Sequence, residues 1–223
     1  MKQKIFFGLA FVLTTVFVVA QDTQTNSSAG KVIYENDFEK ADVDKVPSDF
    51  LVLDGGFTVK QDGTNKFFEL PGAPLETFGV LFGPTVESDV AVTAKIRGTG
   101  KGRRFPTFAL GLNGVGGYKL QVSPAKKALE LFRGDELQAS VPFEEKLGSW
   151  MTLRLQLRKS TETEWKIEGK VWPENLPEPK QPRIVFAEKT KPIAGRASIW
   201  GSPYAETPIQ FDDLKVIAIG AGK

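Results

Sequence analysis

The sequence predicts an all-β sandwich of two antiparallel sheets. From Lys31 onward, apolar residues come in short alternating runs divided by turn residues, and no segment has the period of an amphipathic helix. The runs are joined by only a few residues, which suits antiparallel pairing because parallel strands need long crossovers. The last run, Thr207 to Ile219 (TPIQFDDLKVIAI), is apolar on both sides of Asp212 and Asp213, and the first, Lys31 to Glu39 (KVIYENDFE), is its natural partner. Pairing the two would close a single domain over residues 31–219, with 220–223 as a tail.

Ahead of this domain, Lys2 and Lys4 precede an unbroken apolar run from Ile5 to Val19, with small-residue spacing at Val18 and Ala20. That layout predicts a secretory signal peptide over residues 1–20, cleaved after Ala20. A retained membrane helix is the rival reading, although spanning takes about 20 apolar residues and this run is a little short. Gln21 to Gly30 is polar, has no apolar period, and reads as a flexible leader. The expected destination is the periplasm or the exterior.

Absent residue types narrow the chemistry. There is no cysteine, so lipid attachment through an N-terminal Cys is excluded and an exported chain must be stable without disulfides. One domain of this size can manage that with its core alone. There is no histidine either, which removes a Ser-His-Asp triad, a His general base and His-based zinc or iron sites, while the lack of Cys removes thiol chemistry. Lys and Arg number 29 against 27 Asp and Glu, and losing Lys2 and Lys4 leaves the mature chain balanced. No electrostatic grip on nucleic acid or acidic lipid is expected.

Taken in order, Gly56–Lys60 and Lys66–Leu70 read as a hairpin turning at Asp62 and Gly63, because glycine accepts the positive φ of such turns. Thr77–Phe82 is a short apolar strand, and in Ser88–Arg97 Val90, Val92, Ala94 and Ile96 alternate with a wet face. The loop Gly98–Arg104 has three glycines and three basic residues, but their spacing is too loose for a phosphate fingerprint and no helix follows. It reads as a solvated hairpin loop. Phe108, Leu110 and Leu112, then Tyr118, Leu120 and Val122, then Leu129 and Leu131, and then Leu137–Val141 form a meander. Ser149–Arg158 is the clearest strand: Met151, Leu153, Leu155 and Leu157 face inward, and Thr152, Arg154, Gln156 and Arg158 outward. Trp165, Ile167 and Val171 continue the core and leave Trp172 on the polar side. A rigid exposed loop, Pro173–Pro182, precedes the strands Arg183–Glu188, Gly195–Trp200 and the closing run.

The motifs GSWMTLRLQLR, WKIEGKVWPENLPEPKQP, IAGRASIWGS and PIQFDDLKV, with YKLQVSPAKKALELFRGDELQAS before them, resemble secreted bacterial domains of the concanavalin A-like lectin/glucanase superfamily, the laminin-G-like type. The resemblance spans Lys31 to Ile219 and implies a jelly-roll sandwich. It is specific for fold and weak for activity, since the superfamily contains lectins, glycan-binding modules, hydrolases and adhesion domains.

Three candidate sites follow. Glu35, Asp37 and Glu39 have the E-x-D-x-E spacing that resembles the catalytic strand of laminarinase-type glucanases, where alternation would put three carboxylates on one face. Here the motif lies on the first strand, and Asn36 replaces an aliphatic residue. Second, the apolar phase changes from Ile209 and Phe211 to Leu214 and Val216, which predicts a bulge at Asp212 and Asp213. The resemblance implies that Glu39 and Asp212 could hold a structural Ca²⁺ between the chain ends, an ion that favours hard oxygen ligands; a solvated acidic pair is the plain alternative. Third, sugar rings stack on aromatic faces and need planar polar partners. Trp150 and Trp165 read as core, leaving Trp172, Phe132, Trp200 and Tyr204 on polar faces or loops, with Arg97, Gln121, Arg154, Gln156 and Arg158 available beside them. The expected function is a non-catalytic secreted or periplasmic binding module for a carbohydrate or another envelope component. A glycoside hydrolase or lyase, or a structural interaction domain, are the alternatives.

Overall fold

The computed structural model describes residues 30–73, 76–144 and 147–220. The expected signal peptide, most of the leader and the end of the tail lie outside these residues. Among the described residues there are fifteen strands and no α-helix; the one helical turn is a 3₁₀ turn at Pro124–Lys126.

The larger sheet runs β13 (Ile184–Glu188), β12 (Trp165–Pro173), β11 (Met151–Lys159), β6 (Val90–Gly98), β15 (Ile209–Ala218), β4 (Asn65–Leu70), β3 (Thr58–Asp62), with β1 (Lys31–Asn36) also on β15. The second sheet runs β10 (Glu136–Pro142), β9 (Ala128–Arg133), β8 (Tyr118–Ser123), β7 (Thr107–Leu112), β14 (Gly195–Ser202), β5 (Phe78–Val86), β2 (Leu51–Asp54). Every pairing is antiparallel. β2 is the strand that sequence reasoning did not mark: both Leu51 and Leu53 are exposed, so the run shows no inward row.

Alternation determines which side chains meet between the sheets. Val90, Val92, Ala94 and Ile96 of β6 and Met151, Leu153, Leu155 and Leu157 of β11 are all buried and face the inward rows of β7 and β8. At one end the core is aromatic. Phe68 stacks on Phe38 and Phe57 and meets Phe50 edge-on, with centroids 5.2–5.6 Å apart, a spacing at which ring pairs add to plain burial.

The closing strand bears out its two expectations. β1 pairs with β15 along Leu214–Ala218, while β4 pairs with its other half, Ile209–Phe211. Between them, at Asp212 and Asp213, the register against β6 shifts and Asp213 sits at φ 48°. Aspartate tolerates this left-handed conformation better than most residues. The extra residue turns the inward row from Phe211 to Leu214, so the bulge lets one strand serve two neighbours end to end.

Candidate functional site

β1 stops at Asn36, earlier than the run to Glu39 suggests. Asn36 Oδ1 accepts the Phe38 amide at 2.9 Å, Phe38 takes a left-handed φ of 59°, and its ring drops into the aromatic core. A left-handed phenylalanine costs about 1 kcal/mol or more, which burial of a whole aromatic ring offsets. The E-x-D-x-E motif is therefore not one strand face. Only Glu35 lies on the strand, in a hollow with Lys40 and Lys215, whereas Asp37 and Glu39 belong to the following turn.

That turn forms one wall of a groove of about 330 Å³ on the outer face of the larger sheet. Its floor is aromatic. Phe67, outward on β4, meets Trp150 at a centroid distance of 6.2 Å, and the Arg97 guanidinium lies 4.8 Å from the Trp150 centroid. Arg97 donates through Nε to Gln210, which donates in turn to Glu69 Oε2 at 2.8 Å. Trp150 is thus corrected from the core to the groove. It immediately precedes the inward Met151, so alternation sends it outward with Thr152 and Arg154, and that parity was readable in the sequence.

The rim is acidic: Asp37, Glu39, Asp62, Glu174, Asp212 and Asp213 line the groove against the cations Lys95 and Arg97. Lys95 bridges Glu174 at 2.7 Å and Asp213 at 2.9 Å. Burial opposes the ammonium charge, but these two carboxylates outweigh it and hold Lys95 above the usual lysine range. Asp212 is almost fully buried, and burial pushes its carboxyl up to about 6, against the hydrogen bonds that Asn65 and the Asp213 amide donate to it.

The same groove tests the calcium expectation. Glu39 and Asp212 both line it, but Glu39 Oε1 is engaged by the Lys66 amide at 3.0 Å and Asp212 by Asn65 and Asp213. Among the described residues no three acidic groups converge in a way that could hold a metal ion. Ca²⁺ takes roughly six to eight oxygen ligands, so these residues do not fit it.

The six residues expected to bind a ligand are divided among different places. Arg154, Gln156 and Arg158 share a second, larger groove on the same outer face, about 750 Å³, roofed by Pro179, Lys180 and Pro182 of the proline-rich loop. Trp172 is outward on β12 opposite Thr152, but lines neither groove. Tyr204 lies in the β14–β15 loop, where its amide donates to Thr207 Oγ1 at 2.7 Å. Gln121 cannot share a face with the arginines, because β8 belongs to the other sheet; it donates to Ser123 Oγ at 2.9 Å beside the buried Glu130. On that sheet Trp200 is also largely closed to solvent, lying against Gly79, with its Nε1 donating to Ser198 and Lys119 5.1 Å from its ring.

No protein-family model matches the chain, and no curated protein matches it in sequence. Solved structures do match in shape. A Bacillus subtilis protein of unknown function with a galectin-like fold superposes with a TM-score of 0.60 at 13% identity, over 87% of this chain and 99% of that one. The carbohydrate recognition domain of Emp46p, in its metal-free form, gives 0.58 at 14% identity over 85% and 96%. Carbohydrate-binding module CBM66 from Bacillus subtilis gives 0.52 at 13% identity over 76% and 95%. The fold is accordingly the concanavalin A-like jelly-roll sandwich, a scaffold shared by lectins and carbohydrate-binding modules.

Proposed function

We propose that this chain is a non-catalytic carbohydrate-binding module whose primary subsite is the Trp150 groove. What carries this is the pairing of an aromatic floor, Trp150 and Phe67, with planar hydrogen-bonding groups already fixed in place around it. A pyranose presents apolar C–H faces and a rim of hydroxyls. Its faces would pack on Trp150, the accessible part of the floor behind which Phe67 is buried, and its hydroxyls would donate to the carboxylates of Asp37, Glu39 and Asp62, none of which bridges a cation among the described residues. An acidic rim suits a neutral saccharide, since carboxylates accept hydroxyl protons and repel anions. Titration calorimetry against neutral glucans and galactans tests this: saturable binding that disappears in Trp150→Ala supports it, and no heat with any neutral glycan sinks it.

Export belongs to the same proposal. The Lys2/Lys4, apolar-run and Ala20 layout supports a cleaved signal peptide and a secreted or periplasmic site of action, where envelope glycans are met. N-terminal sequencing of the exported protein should begin at Gln21.

A further inference from the structure

The second groove does not resemble the first. Four cations, Arg154, Arg158, Lys170 and Lys180, line it against two carboxylates, Glu168 and Glu178, and among the described residues no aromatic side chain takes part. Each acid already has a lysine partner, one of them, Lys166, from outside the groove lining. Lys166 bridges Glu168 at 2.6 Å and Lys170 bridges Glu178 at 2.7 Å. Burial works against the Glu168 charge, yet the hydrogen bonds from Lys166 and Gln156, with the nearby charges of Lys166 and Arg158, hold its carboxyl below the usual range.

The arginines are left with spare capacity. Arg154 reaches Glu178 only at 3.7 Å and Gln156 only at 3.5 Å, and the Arg158 Nε is buried without any hydrogen-bond partner among the described residues. A guanidinium offers five N–H donors in a planar fork that matches carboxylate and sulfate oxygens. Both arginines project from the outward row of β11, four residues and roughly 13 Å apart at Cα with Gln156 between them, so their long side chains line one groove under the proline-rich loop from either end. The loop is stiffened by its prolines and tied down through Glu178, so little ordering remains to be done when a ligand arrives.

We propose that the Arg154–Arg158 groove is an anion subsite that takes the carboxylate or sulfate ester of an acidic saccharide. It rests on the carbohydrate-binding reading and extends it. Trp150, just ahead of β11, and Arg154, on its outward row, lie four residues or about 13 Å apart on one face of the sheet, so one glycan carrying an acidic substituent beside a neutral unit could occupy both grooves.

The test measures affinity for polygalacturonate, a sulfated galactan and a neutral glucan, using wild type, Arg154→Gln/Arg158→Gln and the surface variant Lys180→Gln. Expected results are a loss of at least tenfold for the acidic polymers in the double variant, a loss of two- to threefold in Lys180→Gln, and neutral-glucan affinity unchanged within twofold. Comparison of the uronate with the sulfate ester identifies which acid is preferred. Should the double variant fail to fold, Lys180→Gln, exposed at the groove rim, still decides through its smaller loss and a weakened salt dependence. Acidic polymers bound equally well by wild type and all variants would overturn the proposal, as would a wild type that binds only the neutral glucan, which leaves the carbohydrate reading standing. If neither class of glycan binds, both fall.

Discussion

Two grooves share the outer face of one sheet and differ in almost every chemical respect. Near Trp150 the floor is aromatic, the rim is acidic, and the cation Lys95 is already committed to Glu174 and Asp213. Beneath the proline-rich loop no aromatic lines the groove among the described residues, cations outnumber acids, and the Arg158 Nε has no partner. The outward rows of β4, β6 and β15 supply one groove and those of β11 and β12 the other, and different segments are laid over each. The turn after β1 and the β3–β4 hairpin bring Asp37, Glu39 and Asp62 to one groove, and the loop after β12 brings Lys180 to the other. In the first groove the covering turns bring most of the acids, while in the second the strands themselves carry most of the cations.

Of the changes that would break this contrast, Trp150→Ala should give the largest effect, weakening a neutral glycan by about thirtyfold, or roughly 2 kcal/mol, in calorimetry while the fold survives. An equal loss for an acidic polymer in that variant would show that the grooves act as one. Next in size is the buried carboxyl. Asp212 has a folded value near 6 against 3.8 unperturbed, so the folded chain binds this proton more tightly than the unfolded chain. Its contribution to stability is fully present below the unfolded value and is lost as pH rises through about 6. Asp212→Asn keeps an acceptor for the Asp213 amide and removes the charge. It should raise Tm at pH 8 by a few degrees, on the order of 1 kcal/mol, with no gain at pH 3.5; an equal gain at both pH values would refute the charge explanation. Smaller still, Tyr204→Ala and Gln121→Ala should leave glycan affinity within twofold, because one lies in the β14–β15 loop and the other on the opposite sheet. Finally, millimolar calcium should move Tm by less than about 1 °C relative to chelator; a clear rise would restore Glu39 and Asp212 as ligands.

Much of the fold was legible because strand alternation is written directly in residue order. The inward row of β11, the Asp62–Gly63 hairpin and the pairing of first and last strands all follow from it, as does the bulge, announced by the phase change between Phe211 and Leu214. The site was less legible for two physical reasons. Sequence shows that Gln121 and Arg154 both face outward but not from which sheet, since that depends on where the chain crosses between layers. It also cannot show that Phe38 leaves the strand to fill the aromatic core, which removes Asp37 and Glu39 from the face they would otherwise share with Glu35. Trp150 was the avoidable miss, because its even number already placed it with Arg154.

The place of β15 at the end of the domain also bears on when its sheet can be completed. β6, β4 and β1 all hydrogen-bond to this one strand, so the earliest strand of the sandwich waits for the latest, and the β3–β4 hairpin has no sheet to join until Ile209–Ala218 has been made. Contacts so distant in sequence are slow to close. The larger sheet therefore cannot be completed until Ile209–Ala218 has been made, although β6, β11, β12 and β13 can pair with one another before it.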